Sequence, residues 1–166
     1  KVLIDENYSP KLENNYVVAD MITGYGVASS IQHYYALWGG DLKGKRVLVQ
    51  GWGNVGSAAA YYLAQKGAKI VGVIDRVGGL ISPDGLSFEE VKSLFINKNG
   101  NELAAANMLS YEETNEKFWS TAADIFIPCA GSRMINEAQL DQLLAAGVSV
   151  ISSGANVPFA DQEIFF

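Results

Sequence analysis

Gly51-Trp52-Gly53-Asn54-Val55-Gly56 sets three glycines in a G-x-G-x-x-G spacing, and an aspartate, Asp75, follows Gly56 after 19 residues. Residue types in this pattern suit one task, holding a dinucleotide by its pyrophosphate and its adenosine ribose. Gly51 allows a tight turn off a strand, Gly53 removes the Cβ that would keep a phosphate from the backbone, and Gly56 lets a helix pack close to a sheet. The N–H groups of Asn54 and Val55 would face the anion at a helix N-terminus, where the dipole adds roughly 0.3–1 kcal/mol. Asp75 offers acceptors to both ribose hydroxyls, and its charge opposes a 2′-phosphate, which favours NAD. Arg76 pulls the other way, because a guanidinium beside the ribose can bind a 2′-phosphate bidentately. NAD leads on charge, with NADP or dual use left open. The competing reading, a glycine turn that only packs a helix on a strand, has less in its favour, because the motif stands in a full βαβ pattern.

That pattern is legible on both sides of the loop. Arg46–Gln50 is a short β-rich run, Val55–Lys66 an alanine-rich helix closed by Gly67, and Lys69–Ile74 a second strand ended by Asp75. Upstream, Asp20 is expected to cap a helix running to about Trp38, with Gly24 and Gly26 where backbone approaches a ligand or another element. Downstream, Gly78–Gly85 reads as a small extended excursion closed by a Pro-Asp-Gly turn. Ser87 with Glu90, and Ser110 with Glu113, have capping-box spacing. Asp124–Ile127 and Val148–Ile151 read as core strands, Asn136 caps the helix between them, and a further helix is expected from Ala160. Alternating strands and helices predict an α/β fold: a Rossmann-like, doubly wound, mostly parallel sheet with helices on both faces. In such sheets ligands bind beyond the carboxyl ends of the strands, where Gly51–Gly56, Asp75, Cys129, Ala130 and Asn156 fall.

Composition narrows the classes. The 166 residues are 49% hydrophobic and 18% charged, with a net charge of −6, so a packed core is expected and the basic footprint of a nucleic-acid binder is missing. One cysteine and one histidine exclude a disulfide framework and a Cys-rich or multi-His metal site. No apolar run approaches the ~20 residues of a membrane span. A cytoplasmic location is the expectation from absent signals and a dinucleotide ligand. The chain starts at Lys1, which points to a piece of something longer. Residues 1–19 show no clear period and stay unassigned, while residues 20–166 read as one dinucleotide-binding domain.

Several residues read as structural. Cys129 follows an apolar strand and suits a small buried packing role better than a reactive thiol. His33 lacks an acidic or thiol partner, and Trp38, Tyr61 and Tyr62 suit helix-face packing. Glu112-Glu113 suits a solvated helix start, and Ser152-Ser153 a polar loop or a ligand donor equally well. Nine lysines, Lys98 among them, stand in polar or turn contexts and read as solvated. Metal ligands: none.

Asp41–Gly56 resembles the start of the nucleotide-binding domain of glutamate dehydrogenases, within the wider family of glutamate, leucine, phenylalanine and valine dehydrogenases. Thr23-Gly24-Tyr25-Gly26-Val27 resembles its threonine-glycine motif, Pro83-Asp84-Gly85-Leu86 the turn after the ribose-binding acid, Ile127-Pro128-Cys129-Ala130 its strand-end motif, and Gly154-Ala155-Asn156-Val157-Pro158 its Gly-Ala-Asn-x-Pro motif. Order and spacing agree from about Asp20 to Asp161.

The resemblance implies a C-terminal nucleotide-binding domain in which Thr23 lies near the nicotinamide. Trp52, Asn54 and Val55 hold the pyrophosphate, and Asp75 and Arg76 meet the adenosine ribose. Cys129 and Ala130 pass under the nicotinamide ribose, and Asn156 contacts that ribose or the carboxamide. It further implies oxidative deamination of an L-amino acid to a 2-oxo acid and ammonia, with an amino-acid substrate held through a missing domain and homo-oligomers of the full-length enzyme. The family's reactive lysine and proton-handling aspartate belong to that other domain, and no Gly-Gly-x-Lys motif occurs here, so no residue is assigned as catalytic and the isolated piece is expected to be inactive. A non-catalytic nucleotide-sensing domain, a purely structural α/β domain and the leucine, phenylalanine or valine branches are the alternatives. Three departures stand out. Residues 1–19 match poorly, an arginine common before the threonine-glycine motif is absent, and Cys129 replaces the usual alanine. The family continues with another strand and a long helix where this chain stops, so the apolar end Ile164-Phe165-Phe166 is expected to associate or fray.

Overall fold

A computed structural model describes residues 4–5 and 16–161. Its centre is β1 (Arg46–Gln50), buried from Val47 onward. β2 (Lys69–Asp75) pairs parallel on one side of it and β4 (Ile125–Pro128) on the other. β5 (Val150–Ile151) runs parallel outside β4, and β3 (Gly78–Leu86) runs antiparallel outside β2, giving the order β3-β2-β1-β4-β5. The parallel members are near-continuous apolar runs because both faces are covered.

Alternate strand residues feed two separate cores. Val47, Val49, Ile70, Val73, Ile125 and Ile127 point to one face, where α1 (Val18–Trp38) contributes Ile31 and α2 (Asn54–Gln65) contributes Ala59 and Leu63. Leu48, Val71, Ile74 and Phe126 point to the other, packing with Phe118 of α4 (Tyr111–Phe118) and Leu143 of α5 (Glu137–Ala145). α3 (Phe88–Ile96) lies on the first face beside α2, where Phe95 meets Tyr61. The period of two along β1 and β4, shifted by one residue in β2 at the irregularity between Ile70 and Gly72, thus produces the expected layers of helix, sheet and helix.

Three helix starts follow their sequence signals. The side chains of Ser87, Ser110 and Asn136 accept from the third backbone N–H, and Glu90, Glu113 and Gln139 return the bond to the cap N–H. These exchanges satisfy donors that a helix start otherwise leaves open.

Elsewhere the structure corrects the reading. Asp20 does not cap α1 from outside; it sits in the first turn and its carboxylate accepts from the Val17 N–H at 3.0 Å. The excursion after Asp75 is a nine-residue strand, because Gly78, at φ +133°, doubles the chain back along β2. β4 runs one residue later than expected. β5 is shorter because the Val148 N–H closes α5 on the Leu143 carbonyl instead of joining the sheet. Trp38 is 78% exposed rather than packed. Ala160 and Asp161 are not helical, and the apolar end at 164–166 lies outside the described residues, as does most of segment 1–19.

Gly24 shows why α1 and α2 are neighbours. A Cβ there would come within 2.5 Å of the Val55 carbonyl oxygen and 2.6 Å of the Ala58 Cβ, so only glycine admits this approach. Gly24→Ala is therefore expected to cost about 2 kcal/mol in denaturant unfolding, within the usual range for overpacking. An unchanged midpoint would show that the helices separate freely.

Candidate functional site: a cavity at the strand ends

The chain leaves β1 at Gly51, whose φ of +90° and close approach to Cys129 and Ala130 exclude a side chain; a Cβ would lie 2.9 Å from the Ala130 nitrogen. The Gly51 N–H donates to the Ile74 carbonyl at 2.7 Å, tying the turn to β2. Gly53 then stands at the N-cap of α2 with no side-chain cap bond, and the first helical hydrogen bond runs from Ser57 to the Gly53 carbonyl. The N–H groups of Asn54, Val55 and Gly56 precede it, so the helix presents unpaired donors and its positive dipole end. A Cβ on Gly53 would find nothing nearer than Asn101 at 3.8 Å, which leaves room for an anion above the backbone. Gly56 is the opposite case: a Cβ there would overlap the Gly51 carbonyl oxygen.

Beyond these strand ends lies a cavity of about 430 Å³, lined by Gly51, Gly53, Asp75, Arg76, Asn101, Tyr111, Cys129, Ala130 and Met134, among others. It unites the phosphate loop, the end of β2 and the end of β4, as the topology of such sheets requires. Asp75 is buried, and both its oxygens are already used. Oδ2 accepts from the Leu103 N–H at 2.8 Å and Oδ1 from the Trp52 N–H at 3.5 Å. It thus clamps the loop after α3 to the phosphate loop, a second task beside any ribose contact. Arg76 reaches Glu102, Nε to Oε1, at 2.8 Å.

The expected site residues divide into groups. Gly51, Gly53, Asp75, Arg76, Cys129 and Ala130 line the cavity. Trp52 does not line it; its N–H is spent on Asp75, and the indole is fully buried and donates to the Leu94 carbonyl at 3.2 Å. Asn54 turns its side chain sideways, donating to Asp20 at 3.3 Å and accepting from Lys98 Nζ at 2.6 Å. Val55 packs against the position of Gly154, and Gly56 is buried in the helix start. Asn156 lines a separate apolar groove with Leu140 and Phe159, and Thr23 is exposed on α1. The ends of β4 and β5 nevertheless meet α1: a Cβ on Gly154 would touch Val55, the Cys129 sulfur at 2.7 Å and Val27 at 3.3 Å.

Lys98 corrects the view of a solvated lysine. It is half-buried over the rings of Tyr16 and Phe95, and burial lowers its pKa against the opposing pull of Asp20. Nothing in its turn context signalled this, because Tyr16, Asp20 and Asn54 are distant in the chain and only Phe95 of α3 is near it in sequence. Glu102 was likewise missed, since only folding brings it to Arg76.

Cys129 is held as a packing residue. Burial pushes its thiol up to about 12, although a backbone hydrogen bond from Gly154 works in the other direction. At about pH 8 its thiolate fraction, and with it alkylation by iodoacetamide, should be about a thousandfold below that of an ordinary thiol. Rapid labelling of the folded protein would mean the pocket around it opens readily.

Among the described residues no cluster of His, Cys, Asp and Glu is arranged to hold a metal ion, and no helix is long and apolar enough to cross a membrane. Comparison with known proteins fits the cavity. The NAD(P)-specific glutamate dehydrogenase of Xylanibacter ruminicola is 38% identical over 141 residues, covering 82% of this chain and 32% of that protein. The NADP-specific glutamate dehydrogenase of Saccharolobus shibatae is 36% identical over 140 residues, covering 82% and 31%. The hetero-hexameric glutamate dehydrogenase of Thermus thermophilus, solved in its Leu-bound form, superposes with a TM-score of 0.64 at 25% identity, covering 88% of this chain and 33% of that one. The chain spans about a third of the length of the curated relatives it matches. Residues 17–164, nearly all of the described structure, match the Glutamate/Leucine/Phenylalanine/Valine dehydrogenase profile, and with the glycine loop, the buried aspartate and the strand-end cavity in register the chain belongs to that family.

Proposed function

We propose that this chain is the nucleotide-binding domain of an NAD(P)-dependent glutamate dehydrogenase, an oxidoreductase that deaminates an L-amino acid to a 2-oxo acid and ammonia. The observation that carries the reading is the single cavity shared by Gly51, Gly53, Asp75 and Ala130, with an uncapped helix start on its floor. The residues fit a dinucleotide. Unpaired N–H groups at the start of α2 would hold its pyrophosphate, Asp75 and Arg76 would face the adenosine ribose, and Cys129 and Ala130 would support the other ribose. Thr23 and Asn156 would reach the nicotinamide end from α1 and from the loop after β5. Bound there, the cofactor would accept the hydride from the substrate carbon. This chain's part is to bind and orient it; the apolar strand ends exclude water beneath it.

No residue here is proposed to transfer protons, and the substrate would be held by another domain of a longer, homo-oligomeric protein. The glutamate branch is favoured over the leucine, phenylalanine and valine branches by the names its relatives carry. Cytoplasmic placement belongs to the same reading. Calorimetric titration of the chain with NAD and NADP tests it: saturable one-to-one binding of at least one is the expected result. Failure of both to bind would leave only a structural α/β domain.

A further inference from the structure

The geometry points to Glu102 as the residue that sets the choice between NAD and NADP, by holding the Arg76 guanidinium and adding a second carboxylate at the ribose end. This rests on the dinucleotide reading of the cavity. Asn99 and Glu102 close a tight turn by exchanging backbone hydrogen bonds of 3.0 Å in both directions, with Gly100 between them at φ +60°. The next residue, Leu103, donates to Asp75 at 2.8 Å, while Glu102 accepts from Arg76 at 2.8 Å. Two adjacent residues of the turn thus grip two adjacent residues at the end of β2. The pair is built in rather than incidental, because the Leu103 anchor fixes where the Glu102 side chain starts.

The charges decide what this arrangement accepts. Asp75, Arg76 and Glu102 together leave one negative charge where the adenosine ribose would lie, with Arg76 and Asn101 both on the cavity wall. A 2′-hydroxyl is neutral and gains acceptors there. A 2′-phosphate brings about two negative charges, meets Asp75 on the wall and Glu102 just behind Arg76, and must compete with Glu102 for the guanidinium. Arg76 alone, read from the sequence, would have favoured the phosphate; paired with Glu102 it does not. Glu102→Gln removes one carboxylate and frees the guanidinium without changing side-chain size.

The test is calorimetry on the 166-residue chain with NAD, NADP and two shorter probes, 5′-AMP and adenosine 2′,5′-bisphosphate, which differ only in the 2′-phosphate. The unaltered chain should prefer NAD and 5′-AMP. E102Q should move both ratios at least about tenfold toward the 2′-phosphorylated member, as one carboxylate a few ångströms from the roughly two charges of a 2′-phosphate in water would dictate. Combining E102Q with R76A should remove most of that gain. Raising salt from about 0.05 to 0.5 M should shrink the NAD preference of the unaltered chain, because the repulsion is screened; this measurement needs no variant to fold. A preference for the 2′-phosphorylated probes in the unaltered chain, ratios unmoved in a folded E102Q, a gain that survives R76A, or a salt-independent ratio would each overturn the assignment. Binding of none of the four probes would instead overturn the dinucleotide reading itself.

Discussion

Gly56→Ala should abolish measurable dinucleotide binding and lower the unfolding free energy by about 3 kcal/mol, the upper end of the cost of forcing one methyl into a filled site. The added Cβ would overlap the Gly51 carbonyl oxygen and lie 3.1 Å from the Gly51 carbonyl carbon and 3.2 Å from the Cys129 Cβ. None of these neighbours yields cheaply. Gly51 is pinned by its own hydrogen bond to Ile74, its φ of +90° leaves little freedom for a non-glycine geometry nearby, and Cys129 is packed at the end of β4. The start of α2 must therefore move away from β1, carrying the N–H groups of residues 54–56 out of register with the phosphate position. A loss of at least a hundredfold in affinity corresponds to about 2.7 kcal/mol. Denaturant unfolding and calorimetry on the same sample separate the two effects. A dissociation constant within tenfold of the unaltered chain would show that the close packing of Gly56 has no part in binding.

Asp75→Asn should destabilise the ligand-free protein by about 2 kcal/mol and Asp75→Ala by about 3 kcal/mol, because a buried charged acceptor is removed from under two backbone donors. The carboxylate serves the N–H groups of Leu103 and Trp52 together. An asparagine has one oxygen and must turn its NH2 toward the other donor; an alanine leaves both orphaned. Since Leu103 anchors the turn that carries Glu102, both variants should also release the Arg76 pair and weaken NAD binding beyond the loss of a ribose contact. Unfolding of the ligand-free variants reads the clamp, and titration with NAD reads the ribose. Unchanged ligand-free stability in both variants would show that Asp75 serves ligand alone.

Local signals carried a large part of the fold. The capping pairs at Ser87, Ser110 and Asn136 each span three residues, so their chemistry is complete within one turn and needs no tertiary help. The strands β1, β2 and β4 were legible because a strand covered on both faces must be apolar throughout. Signals failed where an outside partner decided the outcome. Asp20 looked like a cap because aspartate suits both the cap and the first turn, and only the position of Val17 distinguishes them. The segment after Asp75 read only as a small extended excursion because glycine and proline weaken β propensity, yet an unpaired edge on β2 made full pairing favourable.

The sequence by itself determined the βαβ unit, the glycine loop with its acid at the second strand end, and the family, because each is written in spacings of a few residues to about twenty. Only the tertiary structure decided which side chains share the cavity. It turned the Trp52 indole into the core, drew Lys98 over Tyr16 and onto Asn54, and placed Glu102 on Arg76. The Lys98–Asn54 contact joins residues 44 apart and the Glu102–Arg76 contact residues 26 apart. No local pattern specifies such pairs: they exist because parallel strands gather at one edge the loops that follow them, and there the charges that choose a ligand are set against one another.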